Sequence, residues 1–295
     1  MLDKLEMFIA LARESHFGRA AERLNIAQPT LSAGIKQLEA QLGVKLVHRG
    51  SRFGGLTPEG QSALVWARKI VGDARQLREE MRFKKHGLSG QLRIAVIPTA
   101  LTWASKLSTR FSAKHPNVRF RILSRTSIEI LAMLDNHEVD AGISYLDNEP
   151  MGRVSTEALY EERFMLICRS DSVFASRSAV GWRELFDQKL CLLTPDMQNR
   201  RIINRNFASV GITPAASVES NSAVVLVAHV ETGGYLTVLP EDMAGFLVAG
   251  KPLSLVPMKG KEPNHTVGLV APYREPHTPV LDALLREARR ISANP

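Results

Sequence analysis

AQPTLSAGIKQLE, Ala27 to Glu39, carries two interleaved signals. Leu31, Ile35 and Leu38 recur at steps of three and four, the period of a helix face that wants a core. Gln28, Thr30, Ser32 and Lys36 fall between them. Gly34 sits in the middle, at a cost of about 1 kcal/mol relative to Ala in a helix interior. Pro29 suits the first turn, where a missing N–H is no loss. Leu42 extends the apolar face, and Gly43 is a stop signal. Either the polar face is simply solvated, or it reads another molecule.

The flanks favour reading. Upstream, Leu2, Leu5, Phe8, Ile9 and Ala12 fit one helix face, and a break follows at Ser15-His16. Phe17, Ala20, Ala21 and Leu24 make a second, short helix, ended by Asn25, which tolerates the left-handed conformation of a tight turn. Two short helices, a tight turn and a third helix predict a helix-turn-helix. Its outward residues would then be Gln28, Pro29, Thr30, Ser32, Ala33 and Lys36, hydroxyls, amide and ammonium suited to a major groove and its phosphates. Gly34, lacking a side chain, would permit close approach of the backbone to the duplex.

Downstream, Val44 to Val47 has strand character. HRGSRFGG then predicts a glycine-rich hairpin, followed by Leu56. Such a wing would bring Arg49 and Arg52 to phosphates or a minor groove. Thr57-Pro58-Glu59 is a helix start: hydroxyl cap, proline at the first position, acid in the first turn. That helix should run to about Phe83. Ala67, Ile70, Ala74, Leu77 and Met81 alternate along it at threes and fours, a heptad seam that needs a partner helix and so predicts dimerisation. Gly87 and Gly90 mark a hinge.

Charge agrees. Residues 1–90 hold 15 Lys+Arg against 9 Asp+Glu, while residues 91–295 hold 23 against 21, so most of the net +8 lies in the first third. A basic head meeting a polyanion and a nearly neutral remainder doing something else is the expected division. Signal-peptide pattern and long apolar runs are both missing, so a cytoplasmic protein with no membrane partner is expected. Cys168 and Cys191 each lie in an apolar stretch and should be buried thiols. P-loop, HExxH, GxSxG and GxGxxG motifs do not occur. His229 and Glu231 are two apart, wrong for one helix face. Glu161-Glu162 and Glu241-Asp242 have the look of surface charges. A non-enzyme with no cofactor and no metal is expected.

Beyond residue 90, strand-like and helical runs alternate. Leu92–Ile97, Val118–Leu123 and Ala141–Tyr145 are strands, with helices at Leu101–His115 and Ile128–Asn136 between them. A second set follows near Arg163: FMLICR, LCLLT, helices at Ile202–Val210 and Ala223–Val230, and YLTVLP. Val267–Ala271 and a helix started by Thr278-Pro279 close the chain. This predicts α/β units around a largely parallel sheet.

The run FIALARESHFGRAAERLNIAQPTLSAGIKQLEAQLGVKLVHRGSRFGGLTPEG resembles the LysR-type transcriptional regulators. QLRIAVIPTA, FSAKHPNVRFRI, EVDAGISY and VETGGYLTVLP resemble the effector domain of that family. The resemblance implies an α+β multidomain chain. A winged helix-turn-helix DNA-binding domain would span 1–57, a linker and dimerisation helix 58–86, and a hinge 87–90. A periplasmic-binding-protein-like α/β effector domain would span 91–295, with subdomain I at about 91–162 and 267–295 and subdomain II at about 163–266. Partners would be double-stranded DNA, a small-molecule effector, RNA polymerase and further copies of the chain, as dimer or tetramer. Two departures stand out. Gly18 replaces the Ser or Thr that often caps the second helix. Ala33 and Gly34 replace a long polar residue early in the recognition helix, which makes a thymine-methyl contact from Ala33 conceivable.

A cleft between two such subdomains is built from helix N-termini, whose bare amides and dipole favour an anion. The expected effector residues are Pro98, Thr99, Ala100, Ser127, Tyr145, Thr194, Asn199 and Ser222, most of them at strand-to-helix junctions. Arg125 and Arg200 both remain open as partners for a carboxylate. LCLLTPDMQNRRI and SRTSIEILAMLDNHEVDAGISYLDNEPMGRV are similar to regulators accompanying formate dehydrogenase genes, which implies formate or another small carboxylate. Two other classes stay open. Failure of residues 1–90 to bind DNA would favour a solute-binding module with another partner, and turnover would favour an α/β enzyme.

Overall fold

The computed structural model describes residues 1–48, 53–147, 151–259, 265–273 and 276–293. They form two compact units, one built on Met1–Gly87, the other on Leu88–Leu134 and Glu138–Pro295.

The first unit is helical: α1 (Leu2–Glu14), α2 (Phe17–Arg23), α3 (Gln28–Leu42) and α4 (Pro58–His86). Phe8, Leu11, Ala20, Ala21, Leu31, Ile35 and Leu38 are buried together. Ala20 and Ala21 are the small residues that let α2 approach its neighbours. Ser15, Asn25 and Gly43 take positive φ at the three breaks. The cap of α2 is not the weak one that Gly18 suggests. Gly18 lies inside the helix, and the His16 Nδ1 accepts the N–H groups of Gly18 and Arg19 at 3.1 and 3.3 Å.

Two expectations for the region after α3 need correction. Leu42 is the last residue of the helix and stays 45% exposed, because Gly43 turns the chain away before the apolar face reaches it. The strand expected over Val44–Val47 reduces to a bridge between Val47 and Leu56, flanked by His48 N–H to Gly55 O and Thr57 N–H to Leu46 O. Val44 is exposed, while Leu46 and Val47 are buried in the core. The tip of this wing, with Arg49 and Arg52, lies outside the described residues. Thr57 caps α4 by accepting from Gly60 N–H at 2.9 Å, and its hydroxyl donates to Lys45 O at 2.6 Å.

Among the described residues, the second unit holds three sheets. β1 (Gly90–Val96), β2 (Val118–Ser124), β3 (Ala141–Tyr145), β4 (Val154–Glu162) and β11 (His265–Pro272) form the first, in the order β2-β1-β3-β11-β4. α5 (Leu101–Lys114), α6 (Ser127–Asp135) and α10 (Pro279–Ala293) contribute Leu107, Phe111, Ile130 and Leu284 to its core. The second sheet is β6-β10-β5-β9, made of β5 (Phe164–Arg169), β6 (Val180–Gly181), β9 (Thr237–Pro240) and β10 (Leu253–Lys259). β7 (Leu190–Leu193) and β8 (Ala216–Ser220) form the third. α7 (Gln198–Ser209), α8 (Ala223–Gly233) and α9 (Glu241–Val248) complete this half.

The expectation of largely parallel pairing holds for β2, β1 and β3, yet β11 is antiparallel to β3 and β4. In the second sheet β5 pairs antiparallel with both β9 and β10. The reason is the crossover. β4 passes into β5 through Arg163 alone, and β10 precedes β11 on the way back. Strands that cross in opposite directions meet antiparallel. α7 begins four residues earlier than the apolar pattern indicates, so Gln198, Asn199 and Arg200 are helical first-turn residues. Its Ile202 packs in the first core, its Ile203 and Phe207 in the second.

Candidate functional site

On α3, Gln28, Pro29, Thr30, Ala33 and Lys36 are exposed, and Ser32 is half-buried. Gln37 and Ala40 are exposed as well and prolong the stripe from Thr30 and Ala33 by whole turns. Neither carries charge, so the sequence does not single them out; the available signal is spacing, since Gln37 stands four residues beyond Ala33. The helix starts at Ala27, which offers no side-chain cap, so its first amides and positive dipole end are free of a competing carboxylate.

Gly34 is not part of that face. It is buried, and a Cβ built there would lie 2.4 Å from Met7 Sδ of α1. The missing side chain serves α1–α3 packing, which overturns the expectation of close approach to a duplex through Gly34. Three residues beyond Leu31 the helix still turns toward the core, which is where the glycine falls.

Along α4 the heptad seam divides. Ala67 is 1% exposed and packs with Val71 in the head's own core, so it has no surface left for a partner. Ile70, Leu77 and Met81 are exposed, Ala74 is half-buried, and Trp66, beside Ala67, is 61% exposed.

In the second unit, Thr99, Ala100, Ser127, Tyr145 and Asn199 are buried, and Pro98, Thr194 and Ser222 are half-buried. Each hydroxyl at a helix start could serve plain N-capping. None does. α6 is capped by Thr126, whose hydroxyl accepts Glu129 N–H at 3.3 Å while Glu129 Oε2 accepts Thr126 N–H at 2.8 Å, so Ser127 is spared. α5, α7 and α8 have no side-chain cap bond at all. Thr99 Oγ1, Ser127 Oγ, Thr194 Oγ1, Gln198 Oε1 and Asn199 Oδ1 are buried atoms with no hydrogen-bond partner among the described residues. Buried polar atoms normally find one.

Arg200, left open by the sequence, is committed elsewhere. Its guanidinium donates to Leu193 O at 2.6 Å, Glu219 Oε1 at 2.8 Å and Asn204 Oδ1 at 2.9 Å. Arg125 donates to the neighbouring Ser124 O.

Tyr145 does more than line the junction. Its phenol oxygen accepts from Asn199 Nδ2 at 3.1 Å and lies 2.5 Å from Glu162 Oε2. The chain of bonds runs from α7 through β3 to the last residue of β4. Gln198 Nε2 donates to Asp147 O at 3.2 Å, a second tie between the halves. Glu162 is not the surface charge that the sequence suggests. β4 alternates, and Glu162 is turned inward on the face that also carries the buried Tyr160 hydroxyl. Burial pushes the Glu162 carboxyl up to about 8, against the lowering effect of Tyr145 and Asn199 and with help from the charges of Asp147 and Asp242. Asp242 is no isolated surface charge either: it accepts from Trp103 Nε1 at 2.6 Å and Lys106 Nζ at 2.8 Å.

Both thiols are buried. Burial raises both, Cys191 to about 11. The described helices include none long and apolar enough to cross a membrane.

Residues 2–61 match the bacterial regulatory helix-turn-helix protein of the lysR family, and residues 85–292 match the LysR substrate binding domain. The chain is similar to the HTH-type transcriptional regulator XapR of Escherichia coli, 30% identical over 82% of this chain and 83% of that one. It is 28% identical to the E. coli DNA-binding transcriptional dual regulator OxyR, over 98% and 94% of the two chains. Among solved structures, a full-length OxyR variant from Pseudomonas aeruginosa superposes with a TM-score of 0.75 at 27% identity, covering 98% of this chain and 94% of that one. CbnR in complex with its target DNA shares the fold, with a TM-score of 0.64 at 21% identity over 99% of both chains. With its helix-turn-helix head and its two-part α/β domain both matched, this chain belongs to the LysR family of DNA-binding transcriptional regulators.

Proposed function

We propose that this regulator reads DNA with Gln28, Pro29, Thr30, Ser32, Ala33 and Lys36 of α3, supported by Arg49 and Arg52, and answers to a small organic anion bound between its two α/β halves. The effector reading rests on one observation above all: buried, unpaired polar atoms at the starts of α6 and α7 and at the turns leading into α7 and α5. Helix starts supply amides and a positive dipole end, so an anion fits them without a dedicated cation. Pro98, Thr99, Ala100, Ser127, Tyr145, Thr194, Asn199 and Ser222 are the proposed contact set. Differential affinity for two relative poses of the halves is the effector's only leverage on DNA binding.

Several relatives are named hydrogen peroxide-inducible genes activators. A peroxide response through cysteine needs an accessible thiolate. Cys168 and Cys191 are both buried with their thiols held protonated, Cys191 Sγ against Leu226 O and Leu236 O, which favours a bound anion over oxidation as the signal.

Self-association through Trp66, Ile70, Ala74, Leu77 and Met81 of α4 is part of the same proposal. It would set two heads on half-sites about 34–36 Å apart, or a multiple of that. Domain limits at 57, 86 and 90 and a cytoplasmic location belong to it as well.

The test is DNA selection from a random pool with the full chain, followed by binding at rising salt. A preferred sequence retained at high salt supports the reading, and equal binding of all sequences at every salt removes it. For the effector arm, melting against a panel of small carboxylates should show stabilisation of about 2.7 kcal/mol at one hundred times Kd.

A further inference from the structure

The acid at the crossover has an oxygen without a hydrogen-bond partner among the described residues. Asn199 Nδ2 can only donate, so it takes a lone pair of the Tyr145 oxygen. The phenol proton is then directed to Glu162 Oε2. A neutral Glu162 must carry its own proton on Oε1. That atom is buried and has no partner among the described residues, as is true of Asn199 Oδ1 and the Tyr160 hydroxyl. Oε1 is thus a buried oxygen at which a proton meets no acceptor among the described residues. Tyr145 and Asn199, its two neighbours in the bond chain, both belong to the proposed effector contacts.

We propose that Glu162 is a specificity-determining residue of the effector site, which donates to an acceptor oxygen of the bound anion from its buried, unpartnered Oε1. The inference rests on the effector reading above. It adds a consequence that reading lacks: the anion is held only while Glu162 keeps its proton.

The charges around it favour that state. Asp147 follows β3, with Oδ2 held at 2.8 Å by His265 of β11, the cross-strand partner of Glu162. Asp242 of α9 adds negative potential, tempered by Lys106 of α5. Tyr145 and Tyr160 are both driven well above the ordinary phenol value by burial and then by Glu162 itself, so neither competes for the role of anion. With Glu162 titrating at about 8, the protonated fraction falls about tenfold between pH 7 and pH 9.

The experiment is calorimetric titration of the full chain with formate, acetate and benzoate at pH 7 and pH 9, on the wild type and on Glu162→Gln, whose amide donor does not titrate. The expected result is affinity for at least one carboxylate that drops about tenfold at pH 9 in the wild type. In Glu162→Gln the same affinity should be flat. Equal wild-type affinity at the two pH values overturns the role of Glu162 and leaves the anion reading intact. A fall that persists in Glu162→Gln also overturns it, because the proton then belongs to another group. If none of the three carboxylates binds at either pH, the anion reading fails and this inference falls with it. Equal wild-type affinities at the two pH values overturn the role of Glu162 whether or not the variant folds.

Discussion

Two regions of this molecule each bury a glutamate, and they treat it in opposite ways. In the head, Glu39 near the end of α3 is 4% exposed, and its carboxylate accepts Leu46 N–H at 2.9 Å, Val47 N–H at 3.4 Å and Lys45 Nζ at 3.2 Å. Burial alone would raise its pKa, but those three donors outweigh burial and hold it below the ordinary value. At the crossover of the α/β unit, Glu162 is 2% exposed and meets a phenol, an amide and two other acids. Burial wins there and the acid stays neutral. Glu39 lies shallow with three donors aimed at its carboxylate, while Glu162 lies deep with fewer donors and two acids nearby, and depth and donor number together set the opposite charges. The first glutamate ties the wing to α3 as a fixed anion. The second keeps a proton that a ligand can use.

The largest effect should come from the backbone that frames Glu39. A Cβ at Gly60 would lie 2.0 Å from Leu46 O, a backbone atom that cannot swing aside. Gly60→Ala should cost about 3 kcal/mol in urea unfolding. A near-neutral result would mean the wing base is not held against α4, and the head half of the comparison would collapse. Glu39→Ala comes next. It leaves the Leu46 and Val47 amides without their acceptor and should cost about 2 kcal/mol at pH 7. Because the Glu39 pKa is lowered on folding, its contribution is present above the unfolded value and lost as pH falls through the folded one. The gap between Glu39→Ala and wild type should therefore narrow in acid.

Glu162 has the opposite sign. Its folded value of about 8 lies above the ordinary 4.5, so its stabilising contribution is complete below 4.5 and lost as pH rises toward 8. Glu162→Gln should flatten the decline of stability with pH across that window. An unchanged slope would show that Glu162 is ionised, like Glu39, and would erase the contrast. The smallest effect is expected at Gly34. Its Cβ would meet only the mobile end of Met7, and the gain in helix propensity is about 1 kcal/mol. Gly34→Ala should change stability by less than that and leave DNA affinity unaltered. A tenfold loss in a binding assay would return Gly34 to the DNA face.

Much of the head is legible in the sequence because its information is local. Leu31, Ile35 and Leu38 define a buried face by spacing alone, and Thr57-Pro58-Glu59 marks a helix start by chemistry alone. The sequence misleads where a neighbour from another segment intervenes. Gly34 takes its meaning from Met7 and Ala67 from the rest of the head core; the cap of α2 is missed for a different reason, being local but supplied by an imidazole that no propensity scale favours. In the α/β unit the candidate residues at helix starts can be proposed from strand-to-helix junctions. Their lack of partners cannot: Ser127 is spared because Thr126 and Glu129 cap α6, and α5, α7 and α8 carry no side-chain cap bond.

By itself, then, the sequence determined the helix-turn-helix and which face of α3 is polar, because hydrophobic period and cap chemistry act within a few residues of chain; the family showed only through resemblance of whole runs of residues. Only the tertiary structure decided that Glu162 is an interior acid rather than a surface charge. Its neighbours Tyr145, Asn199, Asp147 and Asp242 come from other segments of the chain, and protonation answers to distance in space, not in sequence.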